Sequence, residues 1–135
     1  MSVGEESHLT VLVAEDNAEW RSIITRVLMP DFEVIGYVER GDELVTHATR
    51  LHPDIVTLDV AMPGQSGLNA LPALRVALPN AIVVVISTIP TAIYKEEAFR
   101  RGANAYVAKV LAFFLISYQP SQTTVLRRME SSPVF

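Results

Sequence analysis

The sequence predicts an α/β fold, a parallel sheet with helices covering both faces. Three observations carry this. Five short apolar runs recur along the chain. Segments of helical period separate them, so each strand reaches the next by a crossover. The strand-like runs are apolar almost throughout instead of alternating, which is the pattern of strands buried on both faces.

The first strand is Leu9 to Ala14, interrupted only by Thr10. After Glu15-Asp16-Asn17, the residues Trp20, Ile23, Ile24, Val27 and Leu28 fall at the spacing of an amphipathic helix. Asn17 suits its N-cap and Pro30 its stop. Trp20 fits the core stripe of that helix and needs no cofactor to explain it. Phe32 to Val38 forms the second strand. Leu44, Val45, Ala48 and Leu51 mark a second helical face, closed by His52-Pro53.

The third strand, Ile55 to Leu58, ends on Asp59 and breaks into Met62-Pro63-Gly64. A third helix lies within Ser66 to Ala77, where Pro72 requires either a late start near Asn69 or a kink. "AIVVVI", Ala81 to Ile86, reads as the most buried strand. Thr91 can cap a fourth helix ending at Gly102, with Glu96–Arg100 and Glu97–Arg101 pairs on its exposed side. Ala105 to Ala108 is the fifth strand.

Composition narrows the function. A chain of 135 residues, 50% hydrophobic and 19% charged, suits one domain with one core. The division expected is a disordered tail over 1–7, the folded domain over 8–118 and an atypical tail over 119–135. A net charge of -4 gives no reason to expect nucleic-acid binding, and the pairs Arg100-Arg101 and Arg127-Arg128 are too short for a basic patch. The absence of cysteine excludes disulfides and thiol chemistry. The acidic N-terminus does not read as a signal peptide, and no apolar stretch has membrane-spanning length. A cytoplasmic location follows as the expectation. His8, His47 and His52 share neither metal-ligand spacing nor a helix face, and read as surface residues.

In open parallel sheets ligands sit beyond the carboxyl ends of the strands. There strand one supplies Glu15 and Asp16, strand three Asp59, strand four Ser87 and Thr88, and strand five Lys109. Carboxylates crowded at one edge repel unless a cation joins them, and oxygen ligands suit Mg2+. In that setting Asp59 can act as a nucleophile toward phosphorus, Lys109 can pair with a phosphoryl oxygen, and Ser87 can donate to another. Taken singly, each residue has an ordinary explanation. Asp16 or Asn17 caps a helix, Ser87 and Thr88 belong to a turn, Lys109 is a solvated lysine and Tyr106 a core aromatic. The joint arrangement favours the chemical reading.

These residues resemble a family. The pair in "EDN", the stretch "LDVAMPGQSGL", "VVVIST" and "GANAYVAK" are similar, in order and spacing, to the receiver (CheY-like) domain of a two-component response regulator, over roughly residues 8 to 110. The spacing looks most like receivers of regulators with a helix-turn-helix output of the LuxR/NarL type. The resemblance implies a flavodoxin-like (βα)5 three-layer sandwich whose five-stranded sheet has the order 2-1-3-4-5. It implies Asp59 as phosphoacceptor, charged by a histidine kinase or phosphotransfer protein. It implies Mg2+ held by Asp16, Asp59, the backbone carbonyl of Ala61 and, directly or through water, Glu15. Ser87, Thr88, Tyr106 and Lys109 become the phosphoryl-binding and switch residues. The face of helix four, strand five and helix five becomes the surface that changes. Such a domain promotes only its own phosphorylation and dephosphorylation, so the chain is not expected to be an enzyme acting on other substrates.

The sequence also departs from the family's pattern. Val110 stands where many receivers have proline. Ala61 and Ile89, two residues past Asp59 and Ser87, carry no polar group to orient a water, so the phosphorylated form is expected to be long-lived. The uncharged stretch Leu111 to Tyr118 suits either a packed fifth helix or a homodimer or partner interface. Two rivals fit less well. A haloacid-dehalogenase-like phosphatase or phosphotransferase places an acid two residues past its nucleophile, where this chain has Ala61. A flavodoxin would meet Glu15-Asp16 where its phosphate binds. A receiver-like interaction module that is never phosphorylated stays open.

Overall fold

The computed structural model describes residues 8–88 and 92–110. Over these the chain alternates β1 (Thr10–Ala14), α1 (Ala18–Leu28), β2 (Glu33–Val38), α2 (Leu44–Leu51), β3 (Ile55–Asp59), α3 (Gly67–Ala77), β4 (Ile82–Ser87), α4 (Ala92–Arg100) and β5 (Ala105–Ala108). The strands form one parallel sheet of order β2-β1-β3-β4-β5, as expected. The expected tails, the Leu111–Tyr118 segment, the Thr91 cap and Ile89 all lie outside the described residues.

The near-continuous apolar strands are buried on both faces because alternate residues feed two cores. Leu12, Val56, Leu58, Val83, Val85 and Tyr106 pack with α2, α3 and Ala98 of α4. Val11, Val13, Ile55, Val84, Ile86 and Val107 face the other way, toward Ile24, Val27 and Leu28 of α1. The inner strands β1, β3 and β4 are thereby covered from above and below, which sets where their carboxyl ends meet the rim.

The helix ends follow local chemistry. Asn17 caps α1 as its position suggests, its side-chain oxygen accepting from Trp20 N at 2.9 Å. His52 closes α2 in the left-handed region, with φ 49°. Pro72 resolves differently from the late start weighed above. α3 begins at Gly67, capped by Ser66, so Pro72 lies inside the helix. The missing N–H would have bonded to the Leu68 carbonyl, and Arg101 donates to that oxygen instead at 2.9 Å. Arg101 is held by Glu97 at 2.6 Å, as expected, whereas Arg100 also pairs with Glu97, at 3.0 Å, and not with Glu96 as the spacing had suggested. Paired in this way, Glu97 has its carboxyl held below the ordinary range, chiefly by the Arg101 hydrogen bond.

Candidate functional site

The rim residues come from strands held in register. Asp59 lies opposite Ile86, and Ser87 opposite Ala108. The turn after Asp59 is tied down at once. Val60 N donates to Ile86 O at 3.2 Å, and Gly67 N donates to Val60 O at 2.8 Å. A side chain on Gly67 would collide with the Asp59 carbonyl oxygen, so only glycine lets α3 start this close to the strand end. Gly41 plays the matching part beside it. Its N–H donates to Pro63 O at 3.0 Å, and a Cβ there would strike the Gln65 carbonyl.

Glu15, Asp59 and Lys109 meet beneath the surface. Glu15 is fully buried and Asp59 and Lys109 nearly so. The Lys109 ammonium lies 2.9 Å from Glu15 Oε1 and 3.3 Å from Asp59 Oδ2. Asp59 Oδ1 accepts from Ala61 N at 3.2 Å, and Glu15 Oε2 accepts from Asn17 N at 3.1 Å. The Glu15 Oε1 contact is an ion pair without hydrogen-bond alignment, which leaves that buried oxygen with no aligned donor. Burial, with the Asp59 charge adding to it and Lys109 and the Asn17 N–H opposing, pushes the Glu15 carboxyl up to about 7.

Asp16 points outward beside this pair, and oxygens of Glu15, Asp16 and Asp59 all fall within 4.8 Å of one another. One ammonium serves the two buried carboxylates, and Glu15 Oε1 has that ion pair as its contact. An all-oxygen donor set of this kind fits a hard divalent cation such as Mg2+. The fit rests on the carboxylates of the chain itself.

Of the remaining expected residues, Ser87 is buried at the end of β4, and its hydroxyl is hydrogen-bonded to the Tyr106 phenol. Burial raises the Tyr106 pKa, with the Ser87 bond opposing. Tyr106 is fully buried, pointing inward from β5. Thr88 is exposed and borders a cavity next to Lys109. Ala61 is exposed on the turn, with its N–H engaged by Asp59. The histidines lie away from the rim; His8 and His52 are exposed and His47 is half-buried.

Sequence reasoning misjudged one side chain here and missed another. Trp20 is only half-buried, and its ring covers Lys109 at 5.1 Å instead of joining the core with Ile24. Its position was a signal: the first turn of α1 starts at the rim, so the first member of the stripe lies above the strand ends. Arg21, one residue on, donates to the carbonyls of Glu15 and Asp16, both at 3.1 Å, and fixes the turn that presents them.

A family model described as the response regulator receiver domain matches residues 11–114. Chemotaxis protein CheY of Listeria monocytogenes is 33% identical over 102 residues, covering 75% of this chain and 86% of that protein. A protein-glutamate methylesterase/protein-glutamine glutaminase of Thermotoga maritima is 28% identical over 127 residues, 92% of this chain but 37% of that protein. The chain thus spans roughly a third of such relatives, 30% in the case of one from Carboxydothermus hydrogenoformans. The crystal structure of the response regulator domain of Thermotoga maritima CheB aligns with TM-score 0.76 and 27% identity, over 94% of this chain and 100% of that one. The signal receiver domain of the putative response regulator NarL from Mycobacterium tuberculosis aligns with TM-score 0.74 over 93% of this chain and 99% of that one; at 23% identity it speaks for the fold alone.

Proposed function

The chain belongs to the response regulator receiver domain family, and on that premise we propose that it is a phosphoacceptor of two-component signalling, receiving a phosphoryl group on Asp59. The observation that carries this is the placement of Lys109 between Asp59 and Glu15, at 3.3 and 2.9 Å. A buried ammonium at the nucleophile's own oxygen is where a phosphoryl oxygen needs its counter-charge.

The residues divide the work. An Asp59 carboxylate oxygen attacks phosphorus, the bond from phosphorus to the donor breaks, and an acyl phosphate forms on the side chain. Lys109 turns its charge from the carboxylate to the incoming phosphoryl oxygens. Ser87 exchanges its bond with Tyr106 for one to the phosphoryl group, which changes the contacts of the phenol and biases the face built on α4 and β5. Glu15, Asp16, Asp59 and the Ala61 carbonyl would hold Mg2+. When bound, the ion supplies neutralisation of the charge that gathers on the phosphoryl oxygens.

The donor proposed is a histidine kinase or a phosphotransfer protein, and the chain turns over no other substrate. Because Ala61 and Ile89 carry no polar group to orient a water, the acyl phosphate is long-lived. Intact-mass measurement after incubation with acetyl phosphate and Mg2+ tests the reading. One labile phosphate, absent in Asp59→Ala, is expected. No adduct on the wild type would point to an interaction module, and phosphate release from a phosphomonoester such as p-nitrophenyl phosphate would point to a phosphatase.

A further inference from the structure

The stripe of α1 begins with a residue that the core does not use. Ile24, Val27 and Leu28 are buried beneath the sheet, but Trp20 is half-buried at the rim. Its ring faces Lys109, whose Nζ lies 5.1 Å from the centroid. The ammonium thereby meets two carboxylate oxygens, Glu15 Oε1 and Asp59 Oδ2, and an aromatic face. Beyond the ring, Glu19, Ile23, Thr88 and Val110 join Trp20 and Lys109 around a cavity of about 430 Å3.

A lysine on a flexible stem gains hydration by swinging its charge outward, and here the cavity is the way out. An indole face opposes that motion twice. It attracts the cation through its quadrupole, more strongly where water is excluded, and its ring lines the cavity that the charge would have to enter. The packing of α1 does not require this placement, since the Asn17 cap and the buried members of the stripe already fix the helix.

We propose that Trp20 is a positioning residue for phosphoryl acceptance, holding the Lys109 ammonium over Asp59 so that the counter-charge is in place when the phosphoryl group arrives. This rests on the function proposed above. Its contribution is to the rate of acceptance and not to the identity of the acceptor.

The test follows the rate of Asp59 phosphorylation from acetyl phosphate with Mg2+, read by intact mass, in a double-variant cycle. Trp20→Leu is expected to be about tenfold slower, the size of a cation–π contact between exposed and desolvated, while Trp20→Phe, which keeps a ring face, stays within about threefold of the wild type. In a Lys109→Met background, Trp20→Leu should add no more than about twofold, because the residue acts through the lysine. An unchanged rate in Trp20→Leu, or the same tenfold loss without Lys109, overturns the inference. The chain has a single tryptophan, so its emission reads the contact with no phosphodonor present. Lys109→Met should shift or brighten that emission, and an unchanged spectrum also overturns the inference. If Trp20→Leu does not fold, failure of this arm still overturns the inference, and Trp20→Met then carries the rate comparison. A wild type that takes no label removes the proposed function, and the positioning role with it. A wild type that labels normally while Trp20→Leu labels just as fast removes the positioning role alone.

Discussion

Two cations sit at opposite ends of one sheet, and their surroundings differ in kind. Arg75, on α3 near the end where β4 and β5 begin, makes six hydrogen-bond contacts with its five N–H groups. Its acceptors are the carbonyls of Leu78, Pro79, Ala81 and Gly102 and the side chain of Asn104, all neutral. Asn104 passes the tie on, its Oδ1 accepting from Val83 N at 2.8 Å. Lys109, at the carboxyl end, faces two buried carboxylates with a third acid close by. One end satisfies its cation and so stabilises. The other leaves a charge imbalance and a buried oxygen without an aligned donor, which costs stability and favours a ligand.

Breaking each end separately sharpens this contrast. The largest effect is expected from Asp59→Asn, which abolishes phosphate uptake altogether in the mass assay while changing the urea-unfolding free energy by no more than about 1 kcal/mol. The converse is Arg75→Met. It strands several carbonyls and is expected to cost about 3 kcal/mol in urea unfolding, while the folded protein still takes up its phosphate. If Arg75→Met spared stability and Asp59→Asn lowered it sharply, the division of labour would be reversed.

The next effect is a pH dependence confined to the carboxyl end. The Glu15 pKa is raised, from an ordinary 4.5 to about 7, so in the metal-free protein its contribution to stability is fully present below 4.5 and is lost as pH rises through about 7. Relative to Glu15→Gln, the wild type should therefore lose on the order of 2 kcal/mol between pH 5 and 8. Saturating Mg2+ should remove that slope, because the ion binds the deprotonated form; for the same reason Mg2+ affinity should rise as pH passes upward through about 7. Urea midpoints at the two pH values, with and without the metal, measure both. The smallest effect is Arg101→Met, which frees the Leu68 carbonyl at Pro72 and is expected to cost about 1 kcal/mol in urea unfolding.

Much of the rim was legible in the sequence. Asp59 and Lys109 each close an apolar run, and a parallel sheet brings the ends of its strands to one edge. Their meeting at 3.3 Å follows from topology more than from detail. The division between neighbours was less legible. Glu15 and Asp16 are adjacent acids, yet one is fully buried against Lys109 and the other is exposed, because successive residues leaving a strand point opposite ways. Trp20 was assigned to the core because helical period fixes a face but not how far along the helix the sheet extends.

The sequence by itself determined the order of elements, the two-sided burial of the strands and the set of residues at their carboxyl ends. These depend on period and polarity, which are local properties of the chain. Only the tertiary structure decided that Arg101, just past α4, would supply the hydrogen bond Pro72 removes from α3, and that Arg75 would gather carbonyls from the turns before β4 and β5. It alone set Trp20 over the lysine. Such contacts join residues far apart in the chain through long side chains with many rotamers, and their partners are selected by packing after the strands have found their register.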